Sequence, residues 1–264
     1  MLRYRLLQFT FLLILLAILV GYFTNQVSLW FIVPLALTYL GLVVWSSFDL
    51  RLQTFIPVVF KGKETGNHLA LTFDDGPTEF TSQILELLQK HNVKATFFLI
   101  GKQIEKYPEI AQNILKNGHT VGNHTYSHTN KMGFLSKNEV LAEITQNQNT
   151  IKKHLKVTPK WFRPPFGVTN PSISKAIKTS NLACIGWSIR SLDTISKSPD
   201  EIVKRVMRKL KPNGIILLHD TSSNSVIALE QLLVEIKKQQ FTIVPLQELI
   251  HESAYQNEKN TSTN

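Results

Sequence analysis

Cysteine is almost absent from this sequence, since Cys184 is the only one among 264 residues. A single thiol excludes an intrachain disulfide and leaves the redox compartment open. Acidic residues are also scarce, with 19 against 29 basic residues and a formal net charge of +10. The chain has no zinc-finger cysteines, RNA-binding motif or arginine-rich tract, so nucleic acid is not an expected partner. The positive charge is better explained by a solvated surface that lies near anionic lipid head groups.

Charged residues are missing from two N-terminal stretches, residues 6–23 and 27–45. Each is mostly apolar and roughly 18 to 19 residues long, near the length that crosses a bilayer. A cleaved signal peptide fits poorly, because no small-residue cleavage site leads into a polar mature start. We expect residues 1–47 to form a two-helix transmembrane anchor, with a soluble helical cap as the alternative.

The basic residues around these stretches bear on orientation. Arg3 and Arg5 precede the first stretch, and Arg51 and Lys61 follow the second. Positive residues favour the cytoplasmic side, and two crossings would place both groups there. A single crossing would instead place the rest of the chain outside. The sequence predicts a multi-pass protein of the cell membrane, with the cytoplasmic face favoured for the remaining domain.

Beyond a linker at residues 48–67, short apolar runs alternate with helical patterns over residues 68–252, and a polar tail predicted to be disordered follows at 253–264. The predicted strands are residues 69–73, 95–100, 120–122, 160–163, 182–187, 215–218 and 241–244. Regular alternation of strand and helix is typical of a parallel sheet. The predicted fold is therefore α/β, a distorted (β/α) barrel of about seven parallel strands after an N-terminal hydrophobic helical hairpin.

The first predicted strand ends in two adjacent carboxylates, Asp74 and Asp75, followed by Gly76 and Pro77. Side chains on a regular strand alternate between faces, so both acids could serve one site only if the strand ended there. The Gly-Pro turn provides that ending. One carboxylate could then hold a metal ion while the other takes a proton. The alternative is an aspartate pair that caps the following helix.

His124 and His128 are four residues apart, a spacing that would place both imidazoles on one face of a helical turn. With one aspartate they form a two-histidine, one-carboxylate ligand set. This set suits Zn²⁺ hydrolysis, although iron oxygenases use the same ligand types.

Three further polar residues follow predicted strands: Arg163, Asp193 and His219. Singly, each has an ordinary explanation, such as a solvated arginine, a loop acid or a histidine at the rim. Together with the two aspartates and two histidines, however, they all lie at or just after the C-terminal ends of strands. Those ends form one face of a β/α barrel, and that face carries the active site.

These residues strongly resemble the motifs of the polysaccharide deacetylase family, the carbohydrate esterases of family 4 with the NodB homology domain. The sequence TFDDGP at residues 72–77 resembles the first motif and HTYSH at 124–128 the second. RPPFG at residues 163–167 resembles the third motif, Asp193 the fourth and LLH at 217–219 the fifth.

The resemblance implies a role for each matching residue. By similarity, a divalent metal would be held by Asp75, His124 and His128. It is most often Zn²⁺, with Co²⁺, Ni²⁺ or Mn²⁺ as alternatives. Catalysis would fall to Asp74 as general base, His219 as general acid, Arg163 as the group that orients the base, and Asp193 as the partner of the acid. The Phe166 backbone N–H would stabilise the oxyanion, and Leu217 would line the pocket for the acetyl methyl.

Two positions depart from the family pattern. The fourth motif usually has an aromatic residue after its aspartate and an acid three residues before it, where this sequence has Thr194 and Arg190. These departures concern the substrate wall and the role of Asp193, and they leave the metal ligands untouched.

The expected function is a metal-dependent hydrolase acting on carbon–nitrogen but not peptide bonds. Its substrate would be an N-acetylated amino sugar, such as N-acetylglucosamine, in a polysaccharide, an oligosaccharide or a lipid-linked glycan. Alternatives are an O-acetyl esterase, an N-deformylase and a non-catalytic, metal-containing glycan-binding protein. The expected partners are the glycan and the lipid bilayer.

Overall fold

The structure is a computed structural model that describes residues 2–63 and 66–256. The helices of this part are α1 (Leu2–Phe23), α2 (Ile32–Phe48), α3 (Thr81–Lys90), α4 (Gly101–Lys106), α5 (Pro108–Lys116), α6 (Lys137–Leu155), α7 (Pro171–Thr179), α8 (Pro199–Arg208), α9 (Ser223–Lys238) and α10 (Leu246–Ile250). The strands are β1 (Val58–Val59), β2 (His68–Asp74), β3 (Thr96–Leu99), β4 (Thr120–Asn123), β5 (Trp161–Phe162), β6 (Ala183–Ile185), β7 (Ile189–Arg190), β8 (Gly214–His219) and β9 (Thr242–Ile243).

The strands form one curled parallel sheet in the order β1-β6-β5-β4-β3-β2-β8-β7, with β9 also paired to β2. The chain passes from β6, near one end of this order, to β7 at the other through residues 186–188 alone. This short connection brings the two ends of the sheet together. The predicted distorted barrel is therefore confirmed, and all seven predicted strands are present. Two further strands, β1 and β7, are only two residues long and are not predicted from the sequence.

Alternation along β2 and β8 separates two environments. Leu71 of β2 and Leu218 of β8 belong to the large core between the sheet and the surrounding helices. Ala70 and Ile215 instead belong to the core inside the curled sheet, which α10 closes at one end. Because side chains alternate, Asp74 points into the same interior as Ala70. The interior of the sheet therefore becomes polar at the carboxyl ends of its strands.

Two helix starts follow the local sequence. Ser136 precedes α6 and forms the expected capping box, in which its hydroxyl accepts from the Glu139 N–H and its own N–H donates to the Glu139 carboxylate. Ser198 accepts from the Glu201 N–H at the start of α8, whose first residue is proline. Both arrangements satisfy N–H groups that have no partner within the helix.

The two N-terminal helices form a hairpin that stands apart from the domain core. Each is long and apolar enough to cross a membrane, and almost none of its residues is fully buried within the protein. The helices contact each other, for example through the rings of Phe11 and Tyr39, whose centroids are 5.0 Å apart. A core helix of a water-soluble domain would bury such a surface, so the expected helical hairpin is present with its apolar faces uncovered.

The hairpin joins the domain through specific contacts at one end. The Arg3 guanidinium donates to the Leu52 carbonyl at 2.7 Å, and the Thr169 N–H donates to the Ser47 carbonyl at 2.9 Å. The ring of Tyr4 lies 5.0 Å from that of Phe55. Both the start of α1 and the end of α2 therefore lie beside the α/β domain.

The segments on either side of the predicted domain also take part in the fold. Within the predicted linker, Phe55 is buried and β1 pairs with β6. Within the predicted tail, Ala254 is buried and the Tyr255 hydroxyl accepts from the Val121 N–H at 2.8 Å. Apolar side chains in these short segments cover the end of the sheet. The rest of the predicted disordered tail, residues 257–264, lies outside the described residues, as does Glu64 of the linker.

Candidate active site

Two carboxylates meet at the end of β2, although they are adjacent in sequence. Asp74 is the last residue of the strand, and Asp75 has a φ of 75°, in the left-handed region. Aspartate tolerates this conformation better than most residues, and it turns the second side chain back toward the first. The alternative of a helix cap is wrong, because α3 begins at Thr81 and has no side-chain cap.

The two histidines lie in a loop after β4 and not on the helical turn that their spacing suggests. Thr125 and His128 both have positive φ values, of 66° and 49°, so the chain coils back on itself without forming a helix. Asn123 holds this loop by accepting from the Thr125 N–H at 2.9 Å. Glu143 of α6 accepts from the N–H and the hydroxyl of Ser127 at 2.8 Å. Side chains from neighbouring elements thus replace the missing helical hydrogen bonds.

Three atoms converge on one point. The Oδ1 atom of Asp75 lies 3.4 Å from His124 Nε2 and 3.2 Å from His128 Nε2. One ligand atom from each residue lies within 4.8 Å of the others. His124 Nδ1 lies 2.7 Å from the Arg163 carbonyl, to which it donates its proton, so Nε2 is the ring nitrogen that faces Asp75.

The chemistry of these atoms fits a divalent cation. Asp75 Oδ1 is buried and has no hydrogen-bond partner among the described residues. Burial opposes ionisation of Asp75, but the adjacent imidazoles, His124 foremost, outweigh burial and lower the carboxyl pKa. Burial and the charge of His124 lower the pKa of His128 to about 4, so its imidazole is neutral near neutral pH. An ionised carboxylate and a neutral imidazole are the forms that bind a metal.

Arg163 is fully buried behind this cluster, so the alternative of a solvated surface arginine is wrong. Its Nη1 donates to Asp74 Oδ1 at 2.7 Å and to the Thr72 hydroxyl at 2.9 Å. Its Nε and Nη2 donate to the carbonyls of Ile185 and Gly186. Burial works against its charge and lowers the guanidinium pKa, whereas Asp74 raises it. These donors hold the Asp74 carboxylate in one orientation.

His219 ends β8 and is held by Asp193, which follows β7. His219 Nδ1 lies 2.7 Å from Asp193 Oδ1, and its Nε2 lies 3.9 Å from Asp75 Oδ2. Burial alone would lower the imidazole pKa. The hydrogen bond and charge of Asp193, with Asp74 and Asp75 beyond, raise it to about 9. The imidazole is therefore a proton donor at neutral pH.

A cavity of about 250 Å³ opens over these groups. Its lining includes seven of the nine residues selected from the sequence: Asp74, Asp75, His124, His128, Phe166, Leu217 and His219. Arg163 and Asp193 do not line it, but each directly contacts a residue that does. The Phe166 ring packs on His128 with centroids 4.6 Å apart, and Leu217 is almost fully buried.

Several residues of the site carried no recognised signal in the sequence. Trp187 and Arg190 line the cavity, and the Arg190 guanidinium lies 5.6 Å from the Trp187 ring centroid. Asn147 of α6 donates to Asn123 Oδ1 at 3.0 Å and so supports the histidine loop from behind. In the sequence, Arg190 stands out only as a departure from a motif. No neighbouring residue in the sequence indicates that Asn147 supports the histidine loop.

Comparison with known proteins gives consistent matches. The family model for polysaccharide deacetylase matches residues 61–185. A peptidoglycan-N-acetylglucosamine deacetylase of Bacillus cereus is 36% identical over 199 residues, covering 74% of this chain and 72% of that protein. The peptidoglycan-N-acetylmuramic acid deacetylase PdaC of Bacillus subtilis is 34% identical over 182 residues, covering 69% of this chain but only 38% of PdaC.

The fold agrees with a solved structure as well. The crystal structure of the Bc1960 peptidoglycan N-acetylglucosamine deacetylase superposes with a TM-score of 0.71 at 34% identity, covering 75% of this chain and 95% of that one. Identity at this level over most of a relative's length shows that the chain belongs to the polysaccharide deacetylase family, the NodB-domain carbohydrate esterases of family 4.

Proposed function

We propose that the protein is a metal-dependent hydrolase that removes N-acetyl groups from the amino sugars of a glycan. One observation carries this proposal. The unpartnered Asp75 Oδ1 lies with two imidazole nitrogens in an open cavity, beside a buried carboxylate and a protonated imidazole. These are the groups that hydrolysis of an amide requires. They are a cation site, a base for water and an acid for the amine.

Asp75, His124 and His128 are the proposed metal ligands, and zinc is the proposed metal because the donor set contains two imidazoles and one carboxylate. Co²⁺, Ni²⁺ and Mn²⁺ remain the alternatives. When bound, the cation supplies a Lewis acid that makes water more acidic and polarises a carbonyl.

Asp74 is the proposed general base. Its Oδ1 is occupied by Arg163, and its Oδ2 lies 3.8 Å from His124 Nε2, on the side of the proposed ligands. Oδ2 is therefore the oxygen that accepts the proton of the attacking water. Arg163 holds the carboxylate in place and does not touch the substrate.

His219 is the proposed general acid. It donates the proton on Nε2 to the nitrogen of the leaving amine, which leaves poorly without it. Asp193 fixes the opposite nitrogen, Nδ1, as protonated and stabilises the imidazolium. The proton that Asp74 takes from water then replaces the one that His219 gives to the amine, so both residues return to their starting forms and amide plus water gives acetic acid plus amine.

The acetyl group itself has two proposed contacts. The backbone N–H of Phe166 stabilises the negative oxygen that develops during attack. Leu217, at the floor of the cavity, packs against the methyl group. A small apolar floor accommodates acetyl and disfavours larger acyl groups.

We propose that α1 and α2 anchor the domain to a membrane as a two-helix hairpin. Their uncovered apolar surface supports this role. Both ends of the hairpin lie on the side of the domain, with Arg3, Arg5 and Arg51 nearby. Positive residues at this end favour the cytoplasmic face. Protease treatment of intact cells tests it: a domain that is degraded before the cells are broken would lie outside.

The proposed reaction is tested with the full chain purified in detergent and loaded with Zn²⁺. We expect acetate and a free amine from N-acetylglucosamine oligomers. Asp74→Asn should reduce turnover by about 10²- to 10⁴-fold. Asp200→Asn is a matched control, because Asp200 is exposed in the first turn of α8, and it should retain turnover.

Two further substrates, assayed under the same conditions, distinguish N-deacetylation from ester hydrolysis and deformylation. An O-acetylated xylo-oligosaccharide tests ester hydrolysis, and N-formylglucosamine tests deformylation. Release of acetate from the ester alone, or of formate alone, would replace the proposed N-deacetylation. A metal-loaded protein that binds the oligomer but hydrolyses none of the three would be a non-catalytic glycan-binding protein.

A further inference from the structure

A second cavity, of about 340 Å³, lies between the end of the hairpin and the catalytic domain. Trp45 comes from α2, Arg51 from the turn after it, and Lys209 from the end of α8. Trp187 and Arg190 belong to the lining too, and both also line the catalytic cavity. The two cavities are therefore adjacent and share a side.

This second cavity is positively charged. Its one carboxylate, Asp49, is bound by Arg51 through contacts of 2.8 and 2.7 Å. In the described part of the chain, neither Arg190 nor Lys209 forms an ion pair. Desolvation and then neighbouring cations, including Arg51 and Arg190, lower the pKa of Lys209. Two cations thus face the cavity without a counter-charge.

The cavity also lies where the hairpin ends. Trp45 and Phe48 expose most of their surface there, and the Ser47 carbonyl accepts from the Thr169 N–H of the catalytic domain. Aromatic rings at the end of a membrane helix lie at the level of the lipid head groups. An anion at this position would be at the height of lipid phosphates.

We propose that the second cavity binds a phosphate group that joins the acetylated amino sugar to a membrane lipid, so that the substrate class is a lipid-linked glycosyl phosphate. This inference rests on the proposed deacetylation. In a 2-acetamido sugar the amide is carried by C2 and the phosphate by the neighbouring C1, so only a few covalent bonds separate them. Two adjacent cavities with Arg190 in the shared wall fit that separation, and guanidinium and ammonium groups both bind phosphate.

The experiment uses the full-length, Zn²⁺-loaded protein in nanodiscs of phosphatidylcholine and two probes. One is N-acetylglucosamine joined to a farnesyl chain through a single phosphate, and the other is the farnesyl glycoside without phosphate. We expect the wild type to have a higher kcat/KM for the phosphate probe. Lys209→Gln and Arg190→Gln should each reduce the ratio of the two kcat/KM values about tenfold, the typical effect of losing a charged hydrogen bond.

Lys116→Gln is the matched control, because Lys116 is an exposed residue at the end of α5. It removes the same charge and should keep the wild-type ratio. Thermal unfolding of all variants is measured to check that each one folds. An unchanged ratio in Lys209→Gln and Arg190→Gln would overturn the inference.

Two further measurements are needed. The first distinguishes a substrate phosphate from a phospholipid phosphate, and the second distinguishes failure of the phosphate site from failure of the proposed deacetylation. In nanodiscs with added phosphatidylglycerol, an equal loss on both probes in Lys209→Gln would assign the cavity to a phospholipid head group and overturn the inference. Direct binding of both probes is measured beside turnover. Tighter, Lys209-dependent binding of the phosphate probe without acetate release would retain the phosphate site and overturn the proposed deacetylation.

Discussion

Asp193 binds His219 through both of its carboxylate oxygens: Oδ1 lies 2.7 Å from the imidazole Nδ1, and Oδ2 accepts from the His219 N–H at 2.6 Å. Ser191 and Ser225 donate to the same carboxylate. A carboxylate with four such contacts is fixed in position and stays ionised. Burial would raise the pKa of Asp193, but His219 and these hydrogen bonds lower it.

Asp193→Asn should reduce turnover and change its pH dependence. With Asp193 in place the pKa of His219 is raised to about 9, so the acid form persists through neutral pH and is lost as the pH rises through that value. Without the carboxylate charge the pKa should fall, and the alkaline limb of the kcat/KM profile should move to lower pH. We expect about a 10²-fold loss of kcat near neutrality.

The control for this variant is Ser225→Ala, which removes one hydrogen bond to Asp193 but keeps its charge. Its alkaline limb should stay close to that of the wild type. Acetate release measured across the pH range checks both variants. An unshifted limb in Asp193→Asn would contradict the role of Asp193.

Arg163→Lys should destabilise the protein. One ammonium cannot replace donors that reach Asp74, Thr72 and two backbone carbonyls, so Asp74 would become a poorly compensated buried charge. We expect a loss of about 3 kcal/mol in the free energy of unfolding. The exposed Arg208→Lys should change it by less than about 0.5 kcal/mol. Equal denaturant midpoints for the two variants would contradict this account.

Removal of metal should abolish activity reversibly. We expect EDTA to stop acetate release and added Zn²⁺ to restore it. His128→Gln should weaken Zn²⁺ binding by more than about 10²-fold, because one imidazole of the cluster is lost. His91→Gln, at the end of α3, should leave the affinity unchanged in isothermal titration calorimetry. Full activity after exhaustive chelation would contradict the proposed metal dependence.

Asp220→Asn should stabilise the metal-free protein at alkaline pH. Burial raises the pKa of Asp220 from 3.8 to about 7. The folded state therefore binds a proton more tightly than the unfolded state, and the resulting stability is present at low pH and lost as the pH rises through about 7. Asparagine carries no charge, so we expect a gain of about 2 kcal/mol at about pH 8 that shrinks toward about pH 5.

Thermal unfolding at the two pH values, with a chelator present, checks this prediction. Thr81 donates to the Asp220 carboxylate at 2.5 Å, and asparagine keeps an acceptor for that hydroxyl. A stability difference that is the same at both pH values would show that Asp220 does not titrate in this range.

Much of the fold could be predicted from the sequence because its strands are continuous apolar runs. Strands β2 and β8 are long and buried. The polar residues at or just after their ends, Asp74, Asp75 and His219, can therefore be predicted from the sequence as site residues. Strand β7 has only two residues, Ile189 and Arg190, and is too short to show the alternation of apolar and polar residues that is typical of a strand. Its position depends on pairing with β8, which is information from the whole fold.

The local geometry of the site was less accessible. The spacing of His124 and His128 suggested a helical turn, whereas positive φ values at Thr125 and His128 form a loop. That loop is held by Glu143, from a helix later in the chain. Short-range patterns cannot indicate such contacts, because they depend on which elements meet in space. The burial of Arg163 and the position of Arg190 between the two cavities likewise depend on contacts between distant parts of the chain, so the local sequence does not indicate them.

The hydrogen bond between Thr169 and Ser47 ties the loop region after Phe166 directly to the end of α2. This hydrogen bond joins the proposed anchor to the domain that carries the cavity. With the hairpin in a bilayer, the catalytic cavity would be held at a fixed distance from the lipid surface. The enzyme would then meet its substrates by two-dimensional diffusion within a thin layer, and glycans outside that layer would escape deacetylation whatever their chemistry.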